Sequence, residues 1–234
     1  MITVDFDSIK INDGDYLLDL GCGEGRHVIT AYCHYNIFSI GVDLCFKDLV
    51  TASNRFENFK QDDNNKRFSL INSNGLSLPF DDNSFDIIIC SEVLEHIHNY
   101  HGVLQEVERL LVPGGYFVVS VPRAWPEKIC WLLSREYHEV EGGHIRIFNS
   151  NKLKEDIESY GFNYFLHHWS HALHSPYWWL KCLFWEKKES RIIDIYHKFL
   201  IWDLVRRPFI TRFLEKILNP IMGKSIVLYF KNKL

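Results

Sequence analysis

The chain has 234 residues, 47% hydrophobic and 24% charged, with a formal net charge of −4, which fits one large globular α/β domain or such a domain with an elaborated end. No run of about eighteen apolar residues occurs, so no membrane-spanning helix is expected. The acidic start MITVDFDSIK does not suit a secretory leader, and the six scattered cysteines form no C-x-x-C pair, so they read as reduced thiols of a cytoplasmic protein rather than as zinc ligands.

In chain order, Gly14-Asp15 is a turn into a first strand, Tyr16-Leu17-Leu18, which runs through Asp19 and Leu20 into Gly21-Cys22-Gly23-Glu24-Gly25. An apolar run that ends in a glycine cluster before a helix is the opening of a nucleotide-binding βαβ unit, because glycines remove the Cβ atoms where a ligand must lie on the backbone. Helix A is expected from about Glu24 to Tyr35 and strand two from Ile37 to Val42, ending at Asp43. A carboxylate there accepts ribose hydroxyls in Rossmann-type sites. The spacing is G-x-G-x-G, not the G-x-G-x-x-G of a dinucleotide site, and no lysine follows for a P-loop.

Helix B follows from about Phe46 to Asn58, a polar loop over Lys60–Lys66, and strand three over Arg67–Asn72. Phe85–Cys90 is strand four, its Ile87-Ile88-Ile89 suited to the centre of a parallel sheet. Asn99 can cap a helix that runs to about Leu111 with Val103, Leu104, Val107, Leu110 and Leu111 as its apolar stripe. Strand five spans Tyr116–Val121, a helix Lys152–Tyr160, strand six Asn163–Trp169 and strand seven Ser225–Phe230. Between the last two lies Ser170–Lys224, helical in pattern and aromatic, and too long for a plain connection.

The glycine loop with Asp19 two residues before Gly21 resembles motif I of the class I S-adenosylmethionine-dependent methyltransferases. Asn74-Gly75-x-x-Leu78-Pro79-Phe80-x-Asp82-x-Ser84-Phe85-Asp86 resembles their D-A-x-x-L-P-F-x-D-x-S-F-D block, with Asn74 in place of the acid. Ser91-Glu92-Val93-Leu94-Glu95-His96 matches S-x-V-L-E-H, and Arg109–Gly115 matches R-x-L-K-P-G-G. Beyond Pro122, Gly143-His144-Ile145-Arg146-Ile147-Phe148 and the helix before Gly161-Phe162 resemble the ending of quinone-type and small-molecule members.

The resemblance implies a Rossmann-like, doubly wound seven-strand sheet of order 3-2-1-4-5-7-6 in a single domain over 1–234. It divides into a cofactor-binding core at 14–122, a substrate-covering segment at 123–149 and a helical insertion at 170–224. It implies S-adenosyl-L-methionine as cofactor, with Asp19, Gly21, Cys22, Gly23 and Gly25 at the methionine and ribose, Asp43 and Leu44 at the ribose, and Asn74, Gly75 and Leu76 at the adenine. Ser91 and Glu92 complete that set at the end of strand four.

For the chemistry, His96 at the mouth of the site and His144 on the opposite wall are the candidate bases; each could instead shape or anchor its loop. His167, His168, His171 and His174 form a second group. No carboxylate near them in sequence completes a ligand set, and no metal is expected.

All seven tryptophans lie beyond Pro122, and residues 181–234 carry 12 Lys+Arg against 5 Asp+Glu. The aromatic wall suits a small hydrophobic acceptor, prenylated or lipid-like, and O-methylation is the expected reaction. Ile192–Val205 with Arg206-Arg207 is expected either to meet a membrane surface or to pack on the domain. No nucleic-acid partner is expected, since the basic surface is not around the site. A sugar or natural-product hydroxyl, or cofactor binding without transfer, are the alternatives; C- or N-methylation stays open, and a nicotinamide-dependent oxidoreductase is disfavoured by the glycine spacing and the downstream motifs.

Overall fold

The structure, a computed structural model, describes residues 2–60, 66–140, 142–187 and 190–233; most of the expected 60–66 loop lies outside them. Seven strands form one sheet in the order β3-β2-β1-β4-β5-β7-β6. They are β1 Tyr16–Leu20, β2 Phe38–Asp43, β3 Arg67–Asn72, β4 Phe85–Ser91, β5 Leu111–Pro122, β6 Phe162–Ser170 and β7 Ser225–Asn232. β1 to β5 pair in parallel, and β7 enters antiparallel between β5 and β6.

The helices are α1 Arg26–His34, α2 Phe46–Phe56, α3 Tyr100–Leu110, α4 Ala124–Leu133, α5 Glu136–Glu139, α6 Ser150–Glu158, α7 His174–Leu183, α8 Arg191–Arg206 and α9 Phe209–Met222. The doubly wound sheet of expected strand order is therefore present, with α7, α8 and α9 between β6 and β7.

The sheet is buried on both faces, as parallel strands with crossover helices require. On one face Leu18, Ile88, Phe117, Val119 and Leu228 pack with the α3 stripe Val103, Leu104, Val107 and Leu110. On the other, Leu17, Ile87, Ile89, Val118 and Tyr229 pack with Val4, Phe6 and Ile9 of the N-terminal segment. The Tyr229 hydroxyl accepts from Asp5 N at 2.8 Å, tying that segment to β7.

Several boundaries differ from the sequence reading, most by one or two residues, and two of the differences have a visible cause. α1 starts at Arg26 rather than Glu24, because Gly25 is left-handed (φ 83°) and the helix can begin only after it. α3 runs into β5 at Leu111 without a loop, since Leu111 already pairs with Phe85 and the register shifts before Ile87 pairs with Tyr116.

Candidate functional site at the carboxyl ends of β1, β2 and β4

The carboxyl ends of the parallel strands open onto a cavity of about 560 Å³ lined by Leu20, Gly21, Gly23, Val42, Asp43, Leu44, Ser73, Asn74, Gly75, Leu76, Glu92, Val93, His96 and Ile97. This is where open α/β sheets take ligands, and the size suits one cofactor-sized molecule. The loop after β1 forms its floor. Gly21 has φ 73°, and a Cβ there would stand 2.3 Å from Val93 Cγ2, so glycine is required on both conformational and steric grounds. Gly21 N and Cys22 N both donate to Val42 O, at 2.8 and 3.0 Å.

Asp43 fixes the loop from the other side. Its Oδ2 accepts from Gly23 N at 2.7 Å and its Oδ1 from Cys45 N at 2.8 Å, leaving lone pairs directed to the cavity that Asp43 lines. Asn74 Oδ1 accepts from Leu76 N at 3.0 Å, so its carbonyl partly serves its own turn. Leu44 is 73% exposed at the rim.

Four of the twelve residues assigned to the cofactor from sequence stand behind the cavity. Asp19 is buried beneath the loop and accepts from Val28 N at 3.1 Å; burial pushes its carboxyl up to about 7. Cys22 packs with α1 and α2, and Gly25 caps α1. The Ser91 hydroxyl pairs with that of Ser120 at 2.8 Å. Glu92 does line the cavity, held in the left-handed region at φ 58°. Such strain in a residue other than glycine marks a position the surrounding structure over-determines. Its Oε1 accepts from Ser120 Oγ at 3.0 Å.

His96 lines the cavity, and His144, although outside it, packs against His96 with ring centroids 4.9 Å apart. The short turn Leu94–His96 after β4 carries Glu95 and His96. The His144 loop is clipped to it: Ile145 N donates to Glu95 O at 3.0 Å, and His96 Nδ1–H donates to Gly143 O at 3.2 Å. Gly143 must be glycine, because a Cβ would meet His138 O at 2.8 Å. Burial, followed by the neighbouring His144, pulls the His96 imidazole below its ordinary value.

Glu127 of α4 is the residue the sequence reading missed. It is 2% exposed, and its Oε1 accepts from His144 Nδ1–H at 2.6 Å and from Trp131 Nε1 at 3.2 Å. Its Oε2 accepts from the Tyr137 hydroxyl at 3.3 Å. Burial alone would raise this carboxyl, but the His144 hydrogen bond and the charges of His144 and Lys224 hold it below the usual range. A lone acid in the mostly apolar run Ala124–Leu133, which also holds Lys128, was the available signal.

Glu95, part of a recognised motif but assigned no role, is fully buried with no hydrogen bond to either carboxylate oxygen. Burial, then the nearby Glu92, pushes it well above the carboxylate range.

The tryptophans do less at the site than their number suggested. Trp131, Trp178, Trp179 and Trp185 pack around Cys130, Tyr137 and Cys182, joining α4 to α7 behind the His144 loop. Trp125 remains 39% exposed, beside a second cavity of about 400 Å³ that Arg123, Trp125, Lys154, Tyr164 and Trp169 help to line.

The other histidines divide: His167 and His168 lie in β6, while His171 and His174 stand at the start of α7. A carboxylate does reach the latter pair, contrary to the sequence reading: Glu215 of α9 brings one ligand atom to within 4.8 Å of theirs. Sequence proximity could not show it, because the whole of α8 intervenes.

Residues 5–167 match the family described as Methyltransferase domain. Among curated relatives, the chain is 30% identical over 107 residues to the 27-O-demethylrifamycin SV methyltransferase of Amycolatopsis mediterranei, covering 46% of this chain and 38% of that protein. It is 26% identical over 149 residues to the sterol 24-C-methyltransferase of Kluyveromyces lactis, covering 63% of this chain and 36% of that one. The match thus spans little more than a third of either relative.

Among solved structures, the YcgJ protein of Bacillus subtilis superposes with a TM-score of 0.62 at 20% identity, covering 97% of this chain and 96% of that one; this likeness speaks for the fold alone. The family match covers more than half of the chain and agrees with the strand order and the glycine loop. The chain belongs to the class I methyltransferases, the family whose methyl donor is S-adenosylmethionine.

Proposed function

We propose that this protein methylates a hydroxyl of a small, largely apolar, lipid-like acceptor at a membrane surface, with S-adenosylmethionine in the cavity beneath Gly21 and Asp43. The observation that supports the reading is the placement of His96 in the wall of that cavity with His144 packed against it. The cofactor, when bound, supplies a methyl group on a sulfonium; the protein's work is to hold the partners in line and exclude water.

Gly21 and Gly23 let the ligand lie on the backbone. Asp43 is assigned the ribose hydroxyls, and Asn74 with Gly75 the adenine edge. His96 and His144 activate the acceptor. Both hold Nδ1–H against a group that only accepts, so in the neutral rings the lone pair sits on Nε2. Glu127 fixes the His144 ring and is a positioning residue.

The acceptor class rests on the insertion. α9 carries Phe209, Ile210, Phe213, Leu214, Ile217 and Ile221 on one face, each between 40% and 80% exposed. Trp202 and Val205 of α8 are exposed beside Arg206, Arg207 and Arg212. Among the described residues no helix is long and apolar enough to cross a membrane. An amphipathic helix with a basic flank lies in the plane of an anionic lipid surface. The names of the Kluyveromyces lactis sterol 24-C-methyltransferase and of a second relative, the Komagataella phaffii sphingolipid C9-methyltransferase, support a lipid-like acceptor but not the hydroxyl.

The test is incubation with methyl-labelled S-adenosylmethionine and fractionated cell extracts. Label in the organic phase supports the reading, and label confined to water-soluble sugars would replace the acceptor class. No transfer to any fraction would leave a cofactor-binding protein without activity.

A further inference from the structure

The two imidazoles converge on a third group that the transfer reaction alone does not explain. Glu95 is 0% exposed, and neither of its carboxylate oxygens has a hydrogen-bond partner. Buried polar groups are paired in nearly all folded proteins, and an orphaned carboxyl implies a water, a proton or an ion that satisfies it. His96 Nε2 stands 4.0 Å from Glu95 Oε1. One ligand atom each from Glu95, His96 and His144 lie within 4.8 Å of one another.

The surroundings of the two rings are those of metal ligands. A histidine that binds a metal through one nitrogen almost always donates its other N–H to a carboxylate or a backbone carbonyl, which fixes the tautomer. Here Gly143 O takes Nδ1–H of His96 at 3.2 Å, and Glu127 Oε1 takes that of His144 at 2.6 Å. Both Nε2 lone pairs are thereby freed.

We propose, building on the methyl-transfer reading, that Glu95, His96 and His144 form a divalent-cation site of the zinc type, with Glu127 as its supporting carboxylate. Two histidines and one carboxylate with an open fourth position make a catalytic rather than a structural zinc site. A filled site places its ligand atoms about 3.3 Å apart, so the observed spacing closes by side-chain rotation of less than about 1.5 Å. The open side faces the cavity through His96, whose side chain is 34% exposed, whereas that of His144 is 15%.

A cation there acts on the acceptor as a Lewis acid. With both Nε2 lone pairs held by the cation, the cation rather than a free imidazole activates the acceptor: the hydroxyl proton passes to solvent, the oxygen forms the new bond to the methyl carbon, and the carbon–sulfur bond breaks with its electron pair left on sulfur.

The experiment is titration of the chelator-treated full chain with cobalt(II), read by its visible ligand-field absorption, with thermal melting of each sample as the folding control. One equivalent should bind. Glu95→Gln and His96→Gln should each weaken binding at least about 10-fold, and Glu127→Gln should weaken it about 10- to 100-fold. His174→Ala, in the separate His171, His174 and Glu215 cluster, should leave the signal unchanged.

No stoichiometric binding overturns the inference; so does binding equal in wild type and in whichever of the Glu95, His96 and Glu127 variants melt normally, or a signal lost with His174→Ala. S-adenosylhomocysteine binding, measured on the same samples, separates the two claims. Intact binding without a cobalt site removes the cation alone, whereas a cobalt site without cofactor binding counts against the methyl-transfer reading.

Discussion

Glu127 Oε1 lies 2.6 Å from His144 Nδ1, joining the apolar helix α4 to the loop that leads into α6. Two further donors, Trp131 Nε1 and the Tyr137 hydroxyl, hold the same carboxylate, so the imidazole is oriented by a group that cannot itself swing. Glu127→Gln should therefore lower the transfer rate about 10- to 100-fold. Cofactor affinity and the melting temperature should change little, because the amide oxygen can still accept from Trp131 and His144 and its NH2 can donate to the Tyr137 hydroxyl; what is lost is the negative charge beside the imidazole. A rise in KM alone, with kcat intact, would assign Glu127 to acceptor binding instead.

Asp43→Ala should weaken S-adenosylhomocysteine binding by about 1–3 kcal/mol, since the ribose hydroxyls assigned to it lose a charged acceptor. The effect includes the loss of its bonds to Gly23 N and Cys45 N, which shape the loop. Calorimetry on the variant checks it, and unchanged affinity would remove Asp43 from the cofactor site.

Gly21→Ala should cost about 1–3 kcal/mol of stability from the left-handed backbone alone, with the Val93 clash added. Gly23→Ala tests the floor differently. No atom lies within 4 Å of a Cβ there, so the strain comes from its φ of 51° alone. Urea midpoints should rank Gly21→Ala below Gly23→Ala, and the reverse order would contradict the packing described at Val93.

The N-terminal segment predicts an acid sensitivity. Thr3 N donates to His27 Nε2 at 3.1 Å, and His168 Nε2 donates to Thr3 O at 3.2 Å. Burial, followed by the charge of Arg26, holds His27 well below its ordinary 6.5. The folded state thus binds fewer protons than the unfolded one, so this stability is complete above pH 6.5 and falls as the pH drops below it. At pH 5.5 His27 alone should cost on the order of 1 kcal/mol. The loss between pH 7.5 and 5.5 should be smaller in His27→Gln, and equal losses would clear His27.

The exposed face of α9 should be dispensable for folding. Phe213→Asp with Ile217→Asp should leave stability within about 0.5 kcal/mol per site, yet reduce binding to anionic vesicles at least about 10-fold. Vesicle binding that persists in the double variant would move the membrane contact elsewhere.

The strands and the glycine loop were legible because their signals are local, and the strand order followed from the family resemblance. Apolar runs such as Ile87-Ile88-Ile89 set strands, and positions such as Gly21 can be read from backbone constraint alone. The partnerships between distant side chains were not. Glu127 and His144 are 17 residues apart, and Glu215 reaches His171 and His174 only through the folding of α8 and α9. The tryptophans show the same limit: composition suggested a substrate wall, whereas four of the seven are half-buried against Cys130, Tyr137 and Cys182. Periodicity reports which side of an element is apolar, not which neighbour covers it.

Calorimetric titration with S-adenosylhomocysteine, with NAD as the control, tests the central claim most directly. The account predicts micromolar binding of the first at one site, weakened in Asp43→Ala, and none of the second. No binding of S-adenosylhomocysteine, or binding of NAD in its place, would contradict it.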